Sequence, residues 1–205
     1  MIVCETPRLR LRHLTQLDAA FILELLNEPE FIRNIGDREV RTLEDARRYL
    51  RSGTVTGYEK FGFGLYLVEL LDDATPIGVC GLLQRDYLED VDVGFALRQA
   101  FCNHGYAFEA ACAVMRYGLE VLGLGRIVAI TAPDNHASIK LLRRLGLEFE
   151  RSIRVPDVAR DTSLFTPPQR HAACCEASSP PHEEQGDEET AAGGSEHAEA
   201  GRSDR

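Results

Sequence analysis

Polar and apolar residues alternate over residues 8–12 (Arg-Leu-Arg-Leu-Arg), the period-two pattern of a strand with one buried face. Thr15 stands three residues ahead of Asp18, a capping box with Asp in place of Glu or Gln. It opens a predicted helix with Leu17, Phe21, Ile22 and Leu25 on one side, interrupted by Pro29. A second helix is expected over 42–51, capped by Thr42 with Asp45 three residues on, and 53–62 reads as a loop between glycines. Strand-like runs follow at 63–71, 77–83 and 91–97, separated by Asp72-Asp73 with Thr75-Pro76 and by Glu89-Asp90. Connections this short favour an antiparallel meander. A long helix over 106–122 puts Ala110, Val114, Tyr117 and Val121 on one face. A buried strand at 126–131, the turn Pro133-Asp134-Asn135, a helix at 138–145 stopped at Gly146, and strands at 149–155 and 162–165 complete the pattern. The order predicts an α/β (α+β) fold: a mixed, largely antiparallel sheet with helices on both faces. No internal repeat is visible.

Composition refines this to one domain and an appendage. The 205 residues are 44% apolar, near the globular norm, which excludes a collagen-like or wholly disordered chain. After Phe165 there is no Leu, Ile, Val, Met or aromatic residue, and residues 172–205 carry −7 of the chain's net −10. Such a segment cannot offset its ordering cost by burial, so a domain at 1–167 and a disordered acidic tail at 168–205 are expected. The body has no basic stripe, which argues against nucleic-acid binding. The six cysteines show no C-x-x-C spacing, as expected of reduced thiols in a cytoplasmic protein. No apolar run approaches the roughly 20 residues of a membrane span, and the N-terminus has no secretory pattern. His171, Cys174, Cys175 and His182 lack the usual ligand spacings, so no metal site is expected.

Two segments hold candidate chemistry. In the first, a strand ending Asp92-Val93-Gly94-Phe95-Ala96-Leu97-Arg98 runs through Gln99-Ala100-Phe101-Cys102-Asn103-His104 into Gly105-Tyr106-Ala107 and the long helix. Unpaired N–H groups at a helix start attract anions; Gly105 and Ala107 leave room for a pyrophosphate, and His104 adds a nearby cation. Many helices begin this way without a ligand, so the spacing by itself leaves both readings open. In the second, Asp134-Asn135-His136-Ala137-Ser138, Asn135 is an N-cap candidate and Ser138 falls in the first helical turn.

Taken together, "DVGFALRQAF–HGYAFEAA" and "PDNHASIKLLRRLGL" resemble the GNAT superfamily of acetyl-CoA-dependent N-acetyltransferases. Within it the chain is similar to the branch related to the ribosomal-protein N-terminal acetyltransferases, from about residue 5 to 165. The resemblance implies that Phe95, Ala96, Leu97, Asn103, His104, Gly105, Tyr106 and Ala107 wrap coenzyme A. It implies that Asn135 lies near the pantetheine arm and Ser138 near the sulfur. It also implies acetyl-CoA as co-substrate without a metal, and direct attack by a primary amine in a ternary complex. The amine would belong to a protein N-terminus or a small metabolite, and the enzyme would be a monomer or homodimer. The chain departs from the family pattern at Cys102, where Gln or Arg is usual, at Asn103 for Gly, and at Leu142, where many members carry a Tyr that protonates the thiolate. These departures favour an alternative, a non-catalytic acyl-CoA sensor.

The resemblance further implies a splay of the strands around Val93 and Arg126 that would offer backbone N–H groups to an oxyanion. Asp92 reads as either the general base, acting through water, or a solvent-facing strand residue. Glu109 reads as structural, His13 and His136 as surface residues, and Lys60, Arg85 and Asp86 as a solvated loop, with substrate contact as the alternative. Phe63 and Tyr66 are expected on opposite faces, where either core packing or, for one of them, the lining of an acceptor pocket would place them.

Overall fold

The computed structural model describes residues 1–156 and 161–168; the expected tail lies almost wholly outside them. Eight strands form one sheet in the order β1-β2-β3-β4-β5-β6-β8-β7. They are β1 (Ile2–Glu5), β2 (Leu9–His13), β3 (Leu65–Leu70), β4 (Pro76–Leu83), β5 (Val91–Leu97), β6 (Ile127–Thr131), β7 (Glu148–Arg154) and β8 (Asp161–Thr166). Every neighbouring pair is antiparallel except β5 and β6. The meander β3–β4–β5 is as the short turns predict. Two glycines are obligatory inside it: a Cβ on Gly81 would lie 2.1 Å from the Gly64 carbonyl oxygen, and one on Gly78 2.4 Å from the Ala96 carbonyl oxygen.

Alternation along the strands builds two cores. On one face α5 (Tyr106–Glu120) buries Ala110, Ala111 and Val114 against Leu9, Leu11, Val68 and Leu82. It seats on β6 through Gly118, where a Cβ would meet the Ile127 Cδ1 at 2.8 Å. The shorter α6 (His136–Arg144) contributes Leu142 to this core. On the other face α1 (Ala19–Leu26) and α3 (Leu43–Tyr49) bury Phe21, Ile22, Leu25 and Ala46 against Leu67 and Val79. The polar side of β2 is also used. Arg12 joins the nearly buried carboxylates of Asp18 (2.8 Å) and Glu69 (3.0 Å). Burial pushes the Asp18 carboxyl up, but hydrogen bonds from Arg12 and Thr15 outweigh it and hold the group below its ordinary value.

Several local expectations change. Both Thr capping boxes form, but Thr15 caps a 3-10 turn at Gln16–Asp18, so Leu17 is out of phase with α1 and 93% exposed. Pro29 begins α2 (Pro29–Ile35) at its first position, where proline's missing N–H costs nothing. Residues 53–62 are helical rather than a loop. A π-helical segment, Leu50–Val55, carries α3 into α4 (Thr56–Phe61), which stops at Gly62 with φ +79°. Burial of Leu50 and Thr54 holds the segment despite its glycines, and Ser52 and Thr56 donate back to the carbonyls of Arg48 and Arg51. Val121 lies just past the end of α5 and is exposed. Phe63 precedes β3, so strand alternation does not apply to it, and it packs in the same core as Tyr66. Strand β1 had no visible pattern and exists through its pairing with β2. Among the described residues no helix is long and apolar enough to cross a membrane.

Candidate active site

The only parallel contact in the sheet is also its shortest. Strands β5 and β6 share two residue pairs, Val91 with Ile127 and Asp92 with Val128. Beyond them β5 stays laddered to β4 and β6 to β8, so the two strands part. The splay therefore opens at Val93 and Ala129; Arg126 precedes the strand and instead pairs with Asp90 (3.3 Å) and Glu150 (3.1 Å). On their facing edges the diverging strands have no ladder partner.

Asp92 sits where the strands separate. Alternation turns it away from Val91 and Val93, onto the face that α1 and α3 cover. It is 1% exposed, with Oδ1 accepting from the Arg85 Nε at 2.8 Å. Arg85 is thus an ion-pair partner and not a solvated loop residue. Burial pushes the Asp92 carboxyl up, and the Arg85 guanidinium offsets only part of that, leaving it above the usual carboxylate range.

The far end of β5 is organised by its backbone. After Leu97 a 3-10 turn, Gln99–Phe101, leads to Asn103 with φ +65° and Gly105 with φ +82°. Asn is among the side chains best suited to that left-handed conformation, so the turn survives the loss of glycine at 103. The turn starts on Glu28, at the junction of α1 and α2, which accepts from the Gln99 N–H at 2.8 Å. Gly105 caps α5 without any side chain, and the first helical bond runs from the Glu109 N–H to the Gly105 carbonyl at 3.1 Å. Among the described residues no group accepts a hydrogen bond from the backbone N–H groups of 103–108. These are the unpaired donors that an anion needs at this point. Tyr106 and Ala107 supply two of them, while the half-buried Phe95, Ala96 and Leu97 form the end of β5 and pack against the two cores.

The side chains around the loop hold its carbonyls. His104 Nδ1 bonds the Cys102 carbonyl at 2.7 Å, and Arg8 Nη1 donates to the His104 carbonyl at 3.1 Å. Arg8 also binds Glu109 through Nε (2.7 Å) and lies 4.6 Å from the centre of the Tyr106 ring. Glu109 is structural, as expected: it accepts from the Thr6 hydroxyl at 2.6 Å and clasps the β1–β2 turn to α5. Burial pushes its carboxyl up, yet the Thr6 and Arg8 hydrogen bonds hold it below its usual value. Cys102 supplies no cation; its thiol is pushed up by burial and by the nearby Glu28 and Glu30. A cleft of about 670 Å³ runs from Thr6 and Arg8 past Gly105 to Cys112, Arg116 and Arg144.

Across the splay, Asn135 caps α6 by accepting from the Ser138 N–H at 3.0 Å. That bond occupies its side-chain oxygen. Both residues are half-buried, and Ser138 stands in the first turn. Leu142 is buried in the core and offers no proton. His136 is exposed, whereas His13 stacks on Tyr58 with ring centres 3.9 Å apart and is not a free surface residue. The structure therefore gathers the 92–107 segment along one strand and its following loop, and sets 135–138 at the start of α6 after β6. Arg8 and Glu28 carry no sequence signal as partners of these segments, and Arg85, expected in a solvated loop, is the partner of Asp92.

A family model described as an acetyltransferase (GNAT) domain matches residues 8–148. The chain belongs to the GNAT family. As a GNAT protein it is similar to the N-acetyltransferase YoaA of Bacillus subtilis (strain 168), itself uncharacterised, at 30% identity over 74% of this chain and 86% of that one. Solved GNAT structures share the fold. One is an acetyltransferase from Agrobacterium tumefaciens, with TM-score 0.68 and 22% identity over 81% of this chain and 94% of that one. Another is RimL, a ribosomal L7/L12 α-N-protein acetyltransferase in complex with coenzyme A, with TM-score 0.71 and 17% identity over 81% and 97% of the two chains. Membership makes this protein an acyltransferase that carries out acetyl transfer.

Proposed function

We propose that the protein moves an acetyl group from acetyl-CoA to a primary amine, either the N-terminus of a protein or peptide or a small metabolite. The observation that carries this is the loop at 103–108, whose backbone donors are left free at the start of α5 directly after the splayed strand. The donor set fits a diphosphate: several N–H groups converge at a helix start, with no carboxylate bonded to them. The RimL relative binds coenzyme A on the same fold, which supports the fit.

Acetyl-CoA, when bound, supplies the activated acetyl group. The chain's own residues would do the rest. Residues 103–107 hold the diphosphate, and Phe95, Ala96 and Leu97 lead the pantetheine arm along β5 into the splay. There the edge amides of β5 meet the negative charge that develops on the carbonyl oxygen, an interaction whose loss typically costs about 10²–10³ in rate. Asp92 takes, through water, the proton that the substrate ammonium must lose before its nitrogen can attack. Its raised pKa narrows the gap to an α-amino group, which titrates near ~8. Ser138 stands near the sulfur and donates toward the departing thiolate, a role Leu142 cannot fill. Asn135 orders that turn through its cap.

The test is thiol release from acetyl-CoA across a panel of peptide N-termini and amine metabolites. Release that depends on an amine is expected. Tight coenzyme A binding with no release for any amine would overturn the transferase assignment.

A further inference from the structure

The loop lacks the cation that its family pattern places at position 102, so something else must hold it in a form ready for a diphosphate. A trans peptide is planar, with its C=O and the following N–H pointing in opposite directions. Fixing a carbonyl therefore fixes the aim of the next amide. The described residues contain no cis peptide, and the His104 carbonyl is fixed by Arg8 Nη1 at 3.1 Å. That bond turns the Gly105 N–H, itself unpaired, away from Arg8. The His104 ring does the same two peptides earlier, taking the Cys102 carbonyl and releasing the Asn103 N–H to the opposite side.

Arg8 can hold this aim because it is itself immobilised. Its Nε and Nη2 both engage Glu109, and its guanidinium covers the Tyr106 ring. Glu109 in turn is anchored by the Thr6 hydroxyl and the Arg8 backbone N–H. The carboxylate balances the guanidinium charge, so what the pair contributes to the loop is direction rather than net charge. Arg8 and Glu109 are separated by 101 residues in sequence but belong to one brace.

We propose that Arg8, locked by Glu109, is a positioning residue of the cofactor loop that aims the Gly105 amide at the diphosphate of coenzyme A. The assignment rests on the acetyl-CoA reading above and deepens it. Without the brace the loop must be ordered at the moment of binding, and that cost enters the dissociation constant.

Calorimetry with coenzyme A tests this on the full chain. Arg8→Ala is expected to weaken binding about 10-fold, which corresponds to ~1.4 kcal/mol. Arg8→Lys keeps the charge but not the fork, so it should behave like Arg8→Ala. Glu109→Gln should weaken binding about fivefold, with no further loss when added to Arg8→Ala, as for two parts of one device. Should Arg8→Ala fail to fold, Glu109→Gln carries the test, since an amide can still accept from Thr6. Wild-type affinity in these variants would overturn the brace. So would recovery by Arg8→Lys, or a defect that vanishes at high salt, since both mean simple charge attraction. If the wild-type protein itself did not bind coenzyme A, the acetyl-CoA reading would fail instead.

Discussion

The two ends of β5 solve opposite problems. At its start the chain buries a charged side chain and answers it with another: Asp92 is 1% exposed and bonded to Arg85. At its finish the side chains occupy carbonyls and leave the main-chain donors of 103–108 free. Proton transfer requires one group with a tuned affinity for H⁺, so it is built from a side chain in a desolvated place. Holding a diphosphate requires several donors converging on several oxygens, which successive amides supply more cheaply than a cluster of cations. On the proposed function one strand carries a titrating end and an anion-holding end, and substitutions should separate them.

The largest effect is expected at the anion-holding end. Gly105 has φ +82°, and a Cβ there would lie 3.5 Å from the Arg8 Nη2. Gly105→Glu both strains the turn and brings a carboxylate into the space of the ligand. Coenzyme A affinity should fall more than about 100-fold, judged from the combined strain and lost anion site. Calorimetry measures it, and unchanged affinity would remove the loop from the cofactor site.

The titrating end should respond in rate and not in cofactor affinity. Asp92→Asn is expected to lower kcat/KM about 10²-fold, with the coenzyme A dissociation constant changed less than about twofold. The acid limb of the wild-type pH profile gives the sign independently. A base must be ionised, so activity falls as the pH drops through the raised pKa of Asp92, at a higher pH than an ordinary carboxylate would give. Arg85→Met removes the interaction that lowers this pKa and should move the limb upward. A limb that stayed in place would mean that another group titrates.

The smallest effect is expected across the splay. Ser138→Ala should cost about 10-fold in kcat, below the usual range for a general acid because water can replace it, with coenzyme A binding retained because the Asn135 cap uses the Ser138 backbone N–H. A loss of affinity equal to the loss of rate would place Ser138 in cofactor binding.

What the chain's pattern showed and what it hid follow one physical division. Strands with one buried face, the two Thr–Asp capping boxes and the Gly146 stop are local features, and each appears where its residues lie. Gly105, Asn135, Ser138 and Asp92 stood out because their segments have distinctive residues at short spacing. Arg8 did not, since Arg8, Arg10 and Arg12 are equivalent members of one alternation until Glu109 arrives from α5. Glu28 and Arg85 were hidden in the same way, their partners Gln99 and Asp92 lying on another element or across a turn. The helical run through Gly53 and Gly57 contradicts local propensity and is set by burial of Leu50 and Thr54.

The two residue pairs that join β5 to β6 have a mechanical consequence. Hydrogen bonding alone would leave the five-strand and three-strand portions almost free to shear, because their shared hem is so short. Their relative pose is inherited from a helix instead: α5 rests on β4 and β5 and touches β6 at Gly118, where an added Cβ would press on the Ile127 and Leu82 side-chain ends. The separation between Asp92 on one portion and Ser138 on the other is therefore set by how α5 packs across both.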